Sequence, residues 1–311
     1  MNTRKSINLL LMLACTLCLA TVAHSQTAAQ TQALRDANNG NWSAVFRALD
    51  GKTINPSIVD SNQDSLMHIA IRYPKDPSIL DQLAARNVPL ESQNKQGQTP
   101  FMVTMTNGAY INAIWLLKKG IQVGGKIDGM DTAQSLLRQH QILAKIYYDE
   151  ARKRNRPVHP SYLADTLSMA LFRGDEKSVL DKLVNGAVPE TEDLDMAIFS
   201  ENPNVLRMLA DGFFISRQNV VELASQAAYA GATGSLDFLL GANLGIEVSN
   251  GKGDELAEPA MAGARNGALG PFTKTLQILL NHGYKPDSRM AAQALEKELD
   301  DESVKIGRAH V

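Results

Sequence analysis

The feature that most constrains this chain is a stretch that recurs. Asn94-Lys95-Gln96-Gly97-Gln98-Thr99-Pro100-Phe101-Met102-Val103-Thr104 is followed by Gly108 and by Ile114-Trp115-Leu116-Leu117, ending at Gly120. The same layout stands 34 residues earlier, from Asp60 through Ser65-Leu66-Met67-His68-Ile69-Ala70 to Ile79, Leu80 and Leu83. Units this short cannot bury an apolar face alone; neighbours must bury one another's, which takes at least three units in register.

This layout resembles the ankyrin repeat, a turn plus two antiparallel helices with a Thr-Pro-Leu-His-x-Ala signature opening the first helix. The resemblance covers about residues 31–298 and is fullest between 60 and 120. It implies an all-α fold, a solenoid of helix–turn–helix repeats with projecting hairpin-like turns. Thr99 can cap a helix through its hydroxyl, and Pro100 then occupies the first helical position, where no N–H is missed. By the same resemblance His68 bonds backbone in the neighbouring turn, and Ala70 and Ala170 are small where helices approach closely.

Residues after the second helices should take a left-handed conformation, which glycine adopts at no steric cost. Following them gives Gly51, Asn87, Gly120, Gly186, Gly212, Gly245 and Gly283, in steps of 36, 33, 66, 26, 33 and 38 residues. The 66-residue step hides one unit with an eroded signature near 125–157, and the 26-residue step has lost most of a turn. Seven or eight units result. Asp131 to Arg152 reads as one or two helical segments, and Pro157 with Pro160 marks a break. The organisation expected is a leader over 1–25, an N-terminal stack over 26–156, a C-terminal stack over 157–305, and a tail over 306–311 that looks like translated sequencing adapter.

Arg4 and Lys5 precede an apolar run from Ile7 to Ala20 and then Ala23-His24-Ser25, the pattern of a cleaved export signal with the cut after Ser25. Cys15 and Cys18 both lie in this leader, so the mature chain has no cysteine, which suits a bacterial periplasm. Lipid anchoring at Cys15 ranks second. Removing Arg4 and Lys5 from the 31 basic residues leaves 29 against 33 acidic, a balance that argues against bulk nucleic-acid binding. No later stretch has the ~20 consecutive apolar residues of a membrane-spanning helix.

Motifs for chemistry are sparse. His140, His159 and His282 lack metal-ligand spacing, Gly124-Gly125-Lys126 and Gly251-Lys252-Gly253 lack the phosphate-cradle layout, and no nucleophile elbow occurs. No metal or cofactor is expected. Arg152-Lys153-Arg154-Asn155-Arg156 reads as cations favoured at a helix C-terminus, and Glu190, Glu192, Asp193 and Asp195 as carboxylates at a helix start. Trp115 and Tyr110 read as packing residues.

What remains is the surface that ankyrin-like proteins use, their concave face and projecting turns. By residue matching the tips are Asn62, Gln63 and Asp64, then Lys95, Gln96 and Gln98, then Asp128 and Met130. The reading is a non-enzymatic, monomeric protein-binding module in the periplasm, in its sharper form an inhibitor or immunity-type partner. Two alternatives stand beside it. One is a small-ligand site or enzyme near 131–160, where Asp131, His140, Tyr147, Tyr148, Asp149, Glu150 and His159 gather; the other is a structural envelope protein.

Overall fold

Short side chains that can accept a backbone proton open several of the helices. In the computed structural model, Thr27, Ser65, Asp131, Thr166, Asp175 and Asn202 each accept an N–H of the first turn that follows, satisfying a donor the helix itself leaves unpaired. Glu190 and Asp193 do so reciprocally, so the acidic cluster does open a helix. The structure describes residues 27–72, 77–127, 129–242, 246, 253–266 and 268–285. The expected leader with Cys15, the adapter-like tail, Asp128 and Gly245 lie outside the described residues.

Sixteen α-helices pair into eight helix–turn–helix units among the described residues. They are α1 (Ala28–Asn38) with α2 (Trp42–Asp50), α3 (Leu66–Ala70) with α4 (Pro77–Ala85), and α5 (Pro100–Thr106) with α6 (Tyr110–Lys119). The unit lacking a signature is α7 (Thr132–Gln139) with α8 (Gln141–Lys153). Then come α9 (Leu167–Arg173) with α10 (Glu176–Val184), α11 (Thr191–Ser200) with α12 (Pro203–Asp211), α13 (Val220–Ala230) with α14 (Thr233–Gly241), and α15 (Asp254–Asn266) with α16 (Phe272–Asn281). The described fold is all-α apart from one hairpin, β1 (Lys126–Ile127) and β2 (Met130–Asp131).

The chain divides into two compact units, 1–99 and 100–311. In the first, α1 packs on α3 and α2 on α4, first helix against first and second against second. Buried Leu34, Val45, Leu66, Met67, Ile69, Leu80 and Leu83 form its core. In the second, α9, α11, α13 and α15 stack in series, as do α10, α12, α14 and α16, which is solenoid packing. Gly263 permits the closest approach: a Cβ there would lie 1.6 Å from the carbonyl oxygen of Tyr229, so α13 and α15 touch backbone to backbone.

The series turns after α8. Its main neighbours are α6, α7 and α11 rather than α10, and α6 also reaches α15. Between α8 and α9, Pro157 precedes and Pro160 opens a 3₁₀ turn at Pro160–Leu163 that carries Tyr162 into the interior. Its ring stacks on Tyr148 at 6.1 Å and meets Tyr147 and Phe172 edge-on at 5.5 and 5.8 Å, and its hydroxyl donates to the carbonyl of Ala133 at 3.0 Å. Burial pushes the Tyr162 phenol well above its usual pKa.

Two of the expected left-handed glycines are otherwise. Asn87, Gly120, Gly186 and Gly283 have φ of 60°, 82°, 89° and 92°, but Gly51 and Gly212 sit at −76° and −81°. The left-handed residue there is the next one, Lys52 or Phe213. At Gly212 an added Cβ would meet the Phe214 ring at 2.7 Å, so this glycine answers to space rather than to handedness.

Candidate protein-binding turns

The recurrence seen in sequence is a recurrence of hydrogen bonds. Asp60 Oδ1 accepts the N–H groups of Asn62 and Asp64, and Asn94 Oδ1 accepts those of Gln96 and Gln98, all at 2.8–3.0 Å. Backbone bonds repeat as well: Asp60 N–H to Asp64 O and Gln63 N–H to Asp60 O, then Asn94 N–H to Gln98 O and Gly97 N–H to Asn94 O. Gln63 and Gly97 occupy the same left-handed position, φ 61° and 73°. Short side chains that bond their own backbone two residues on fix such turns.

The two turns are joined. Lys95 N–H donates to Asn62 O at 2.9 Å, and the Asn94 amide donates to Asp64 Oδ1 at 3.0 Å. His68 Nε2 bonds the carbonyl of Gln98 at 3.0 Å, while its Nδ1 faces the N–H and hydroxyl of Ser65 at 3.2 and 2.9 Å. That arrangement requires the tautomer with the proton on Nε2 and a neutral ring; burial holds its pKa below the usual histidine range.

Of the residues assigned to the tips, Asn62, Gln63, Lys95 and Gln96 are exposed, and Gln98 is half-buried with its backbone committed to His68. Asp64 is buried, 4% exposed, where it accepts from Asn94 and pairs with Arg72; it holds the turn and is no fingertip group. Met130 is half-buried in the β1–β2 hairpin, whose register pairs Lys126 with Asp131 and Ile127 with Met130. Asp128 lies outside the described residues.

The residues of the ligand-site alternative separate. Tyr148 belongs to the aromatic cluster around Tyr162, and Asp149 holds the buried Lys145 at 2.7 Å. His140 packs its ring on Tyr110 at 5.1 Å, and burial lowers its pKa. Asp131, Tyr147, Glu150 and His159 do converge, on a cavity of about 300 Å³. The basic run serves the chain itself: Arg154 donates to the Lys118 carbonyl at 2.7 Å and Arg156 to the Gly120 carbonyl, both at the C-terminus of α6, and Arg154 pairs with Glu150. The helix end these cations satisfy is a neighbour's rather than their own.

No family model matches the chain, and no curated protein matches it. Among solved structures, the crystal structure of the human ASB11 ankyrin repeat domain aligns with 84% of this chain and 100% of its own, at 15% identity and a TM-score of 0.27. The repeated turns, the His68 bond and the stacking of like helices carry the assignment. The fold is ankyrin-like. Among the described residues no helix is long and apolar enough to cross a membrane, and no group of three metal-ligating side chains comes together.

Proposed function

We propose that this chain is a protein-binding module that presents the tips of its repeated turns to a partner. The observation that carries it is the stitching of 60–64 to 94–98: the backbone of both turns is held by side-chain and inter-turn hydrogen bonds while Asn62, Gln63, Lys95 and Gln96 project into solvent. Polar groups on backbone already ordered lose little conformational freedom when they bind, so more of each contact survives as affinity. The leader pattern supports a bacterial periplasmic location, where the module would hold one exported or incoming protein inactive, as an inhibitor or immunity-type partner.

A photo-crosslinking residue at Gln63 or Gln96 tests this. It should give one covalent adduct with a periplasmic protein, whereas the same residue at Asp211, an exposed position on α12, should give none. Equal adducts from all three positions would overturn the assignment to the turns.

A further inference from the structure

A second cavity, of about 310 Å³, owes its walls to the turn of the series after α8. Because α8 lies against α6 and α11, and α6 reaches α15, residues 138–143 face Phe199 of α11, Gln226 and Tyr229 of α13, and Asn266 of α15 across one hollow. Its volume is at the small end for ligand sites. Leu143 and Phe199 are buried at its floor, and Arg138, Gln139 and Asn266 are exposed at its mouth. The cavity belongs wholly to the second unit and shares no residue with the turns at 60–64 and 94–98.

Its polar groups are unused by the protein itself. Among the described residues, the side chains of Gln139, Gln141 and Gln226 and the ring nitrogens of His140 make no hydrogen bond or ion pair. Asn266 donates to Tyr229 Oη at 3.3 Å, which leaves the Tyr229 proton to give. Burial lowers the His140 pKa, so at pH 7 the ring is neutral and offers one N–H and one lone pair. Each side-chain amide likewise both donates and accepts. No carboxylate stands among the described lining residues, and the one charge, Arg138, is at the mouth. Such a wall matches a neutral ligand dense in hydroxyls, each of which also donates and accepts from one atom.

The aromatic side chains narrow the class. The Tyr110 and His140 rings meet at 47° with centres 5.1 Å apart, and Tyr229 adds a third ring to the lining. Rings so tilted make a corner, whereas a flat nucleobase is best held between parallel faces. Aromatic faces are negative and attract the polarised C–H groups of a puckered sugar ring, whose hydroxyls project from its edge.

We propose that this cavity binds a neutral saccharide, its C–H face toward the aromatic side chains and its hydroxyls shared among the glutamine amides and His140. The proposal is independent of the turn tips, so either can fail without the other.

The test is titration of the full chain with cellobiose, maltose and N,N′-diacetylchitobiose, and with adenosine as the flat alternative, followed by amide NMR shifts. At least one saccharide should saturate with a Kd of about 1 mM or below. The shifts should centre on 138–143, 226–229 and 266. The Gln141→Ala/Gln226→Ala double variant removes two groups that bond nothing else among the described residues, so it should bind about tenfold or more weakly with its melting temperature held. Gln139→Ala, at the exposed mouth, gives the same comparison with less risk to folding, and a loss of about threefold is expected. No saccharide saturating by about 10 mM, adenosine binding more tightly than all three, shifts confined to the turns at 60–64 and 94–98, or variants that bind as the wild type does would each overturn the proposal.

Discussion

Replacing His68 by alanine tests how the repeats are joined. The imidazole is 1% exposed and satisfies three groups at once: the Gln98 carbonyl, and the N–H and hydroxyl of Ser65. Truncation leaves the buried Ser65 N–H without this partner, at about 1–3 kcal/mol, takes one of two bonds from the Gln98 carbonyl, which keeps the Asn94 N–H, and opens a void besides. A loss of about 3–5 kcal/mol is expected, measured by urea unfolding followed by circular dichroism. The wild type should show the proton linkage too. Burial lowers the folded-state pKa of His68 below its unfolded value of 6.5, so the unfolded chain binds the proton more readily. The contribution is fully present above pH 6.5 and is lost as pH falls through the folded value. His68→Gln should flatten that part of the stability profile. A His68→Ala chain within about 0.5 kcal/mol of wild type would refute the role given to this bond, since that is the range of neutral surface changes.

Further outcomes follow from the same structure. Gly263→Ala forces a methyl group onto the Tyr229 carbonyl and should cost the second unit several kcal/mol, about the scale of severe core overpacking, seen as a lowered melting temperature. Gly97→Ala meets nothing within 4 Å, so its cost is that of the left-handed backbone alone, about 1–2 kcal/mol by denaturation. Asp195 has its pKa raised to about 6 by burial and then by Glu222 and Glu192. A carboxylate raised in the folded state favours folding below its unfolded pKa of 3.8 and loses that contribution as pH rises through about 6, so Asp195→Asn should stabilise the chain at pH 7 by about 1–2 kcal/mol and make no difference below pH 4.

The repeat was legible because its turns are built by local rules. Asp60 and Asn94 are both short acceptors that bond their own backbone, and the 34-residue offset between them survives into the hydrogen bonds. The unit around α7 and α8 was legible by the doubled glycine step, although it carries no signature. Side-chain direction was not. Asp64 sits beside exposed Gln63 in sequence, yet its carboxylate turns inward to Asn94 and Arg72, which only the neighbouring turn reveals. Glycine counting failed at Gly51 and Gly212 because the left-handed residue can shift by one place when a lysine or phenylalanine accepts the strain. Tyr162 escaped notice for another reason: its partners lie on α7, α8 and α9 at no fixed spacing, although the cavity beside it falls in the 131–160 region that the sequence singled out. Two prolines signalled a break but could not say that Tyr162 would fill it.

The most direct measurement is affinity capture from periplasmic extract with the full chain as bait, set against the Lys95→Glu/Gln63→Glu double variant, with captured protein quantified by mass spectrometry and melting temperature recorded for both baits. The account predicts one stoichiometric partner, lost from the variant while the two baits melt alike, because both side chains are exposed and bear only on what touches the turns. Capture unchanged in the variant, or a folded bait that retains no protein, would contradict it.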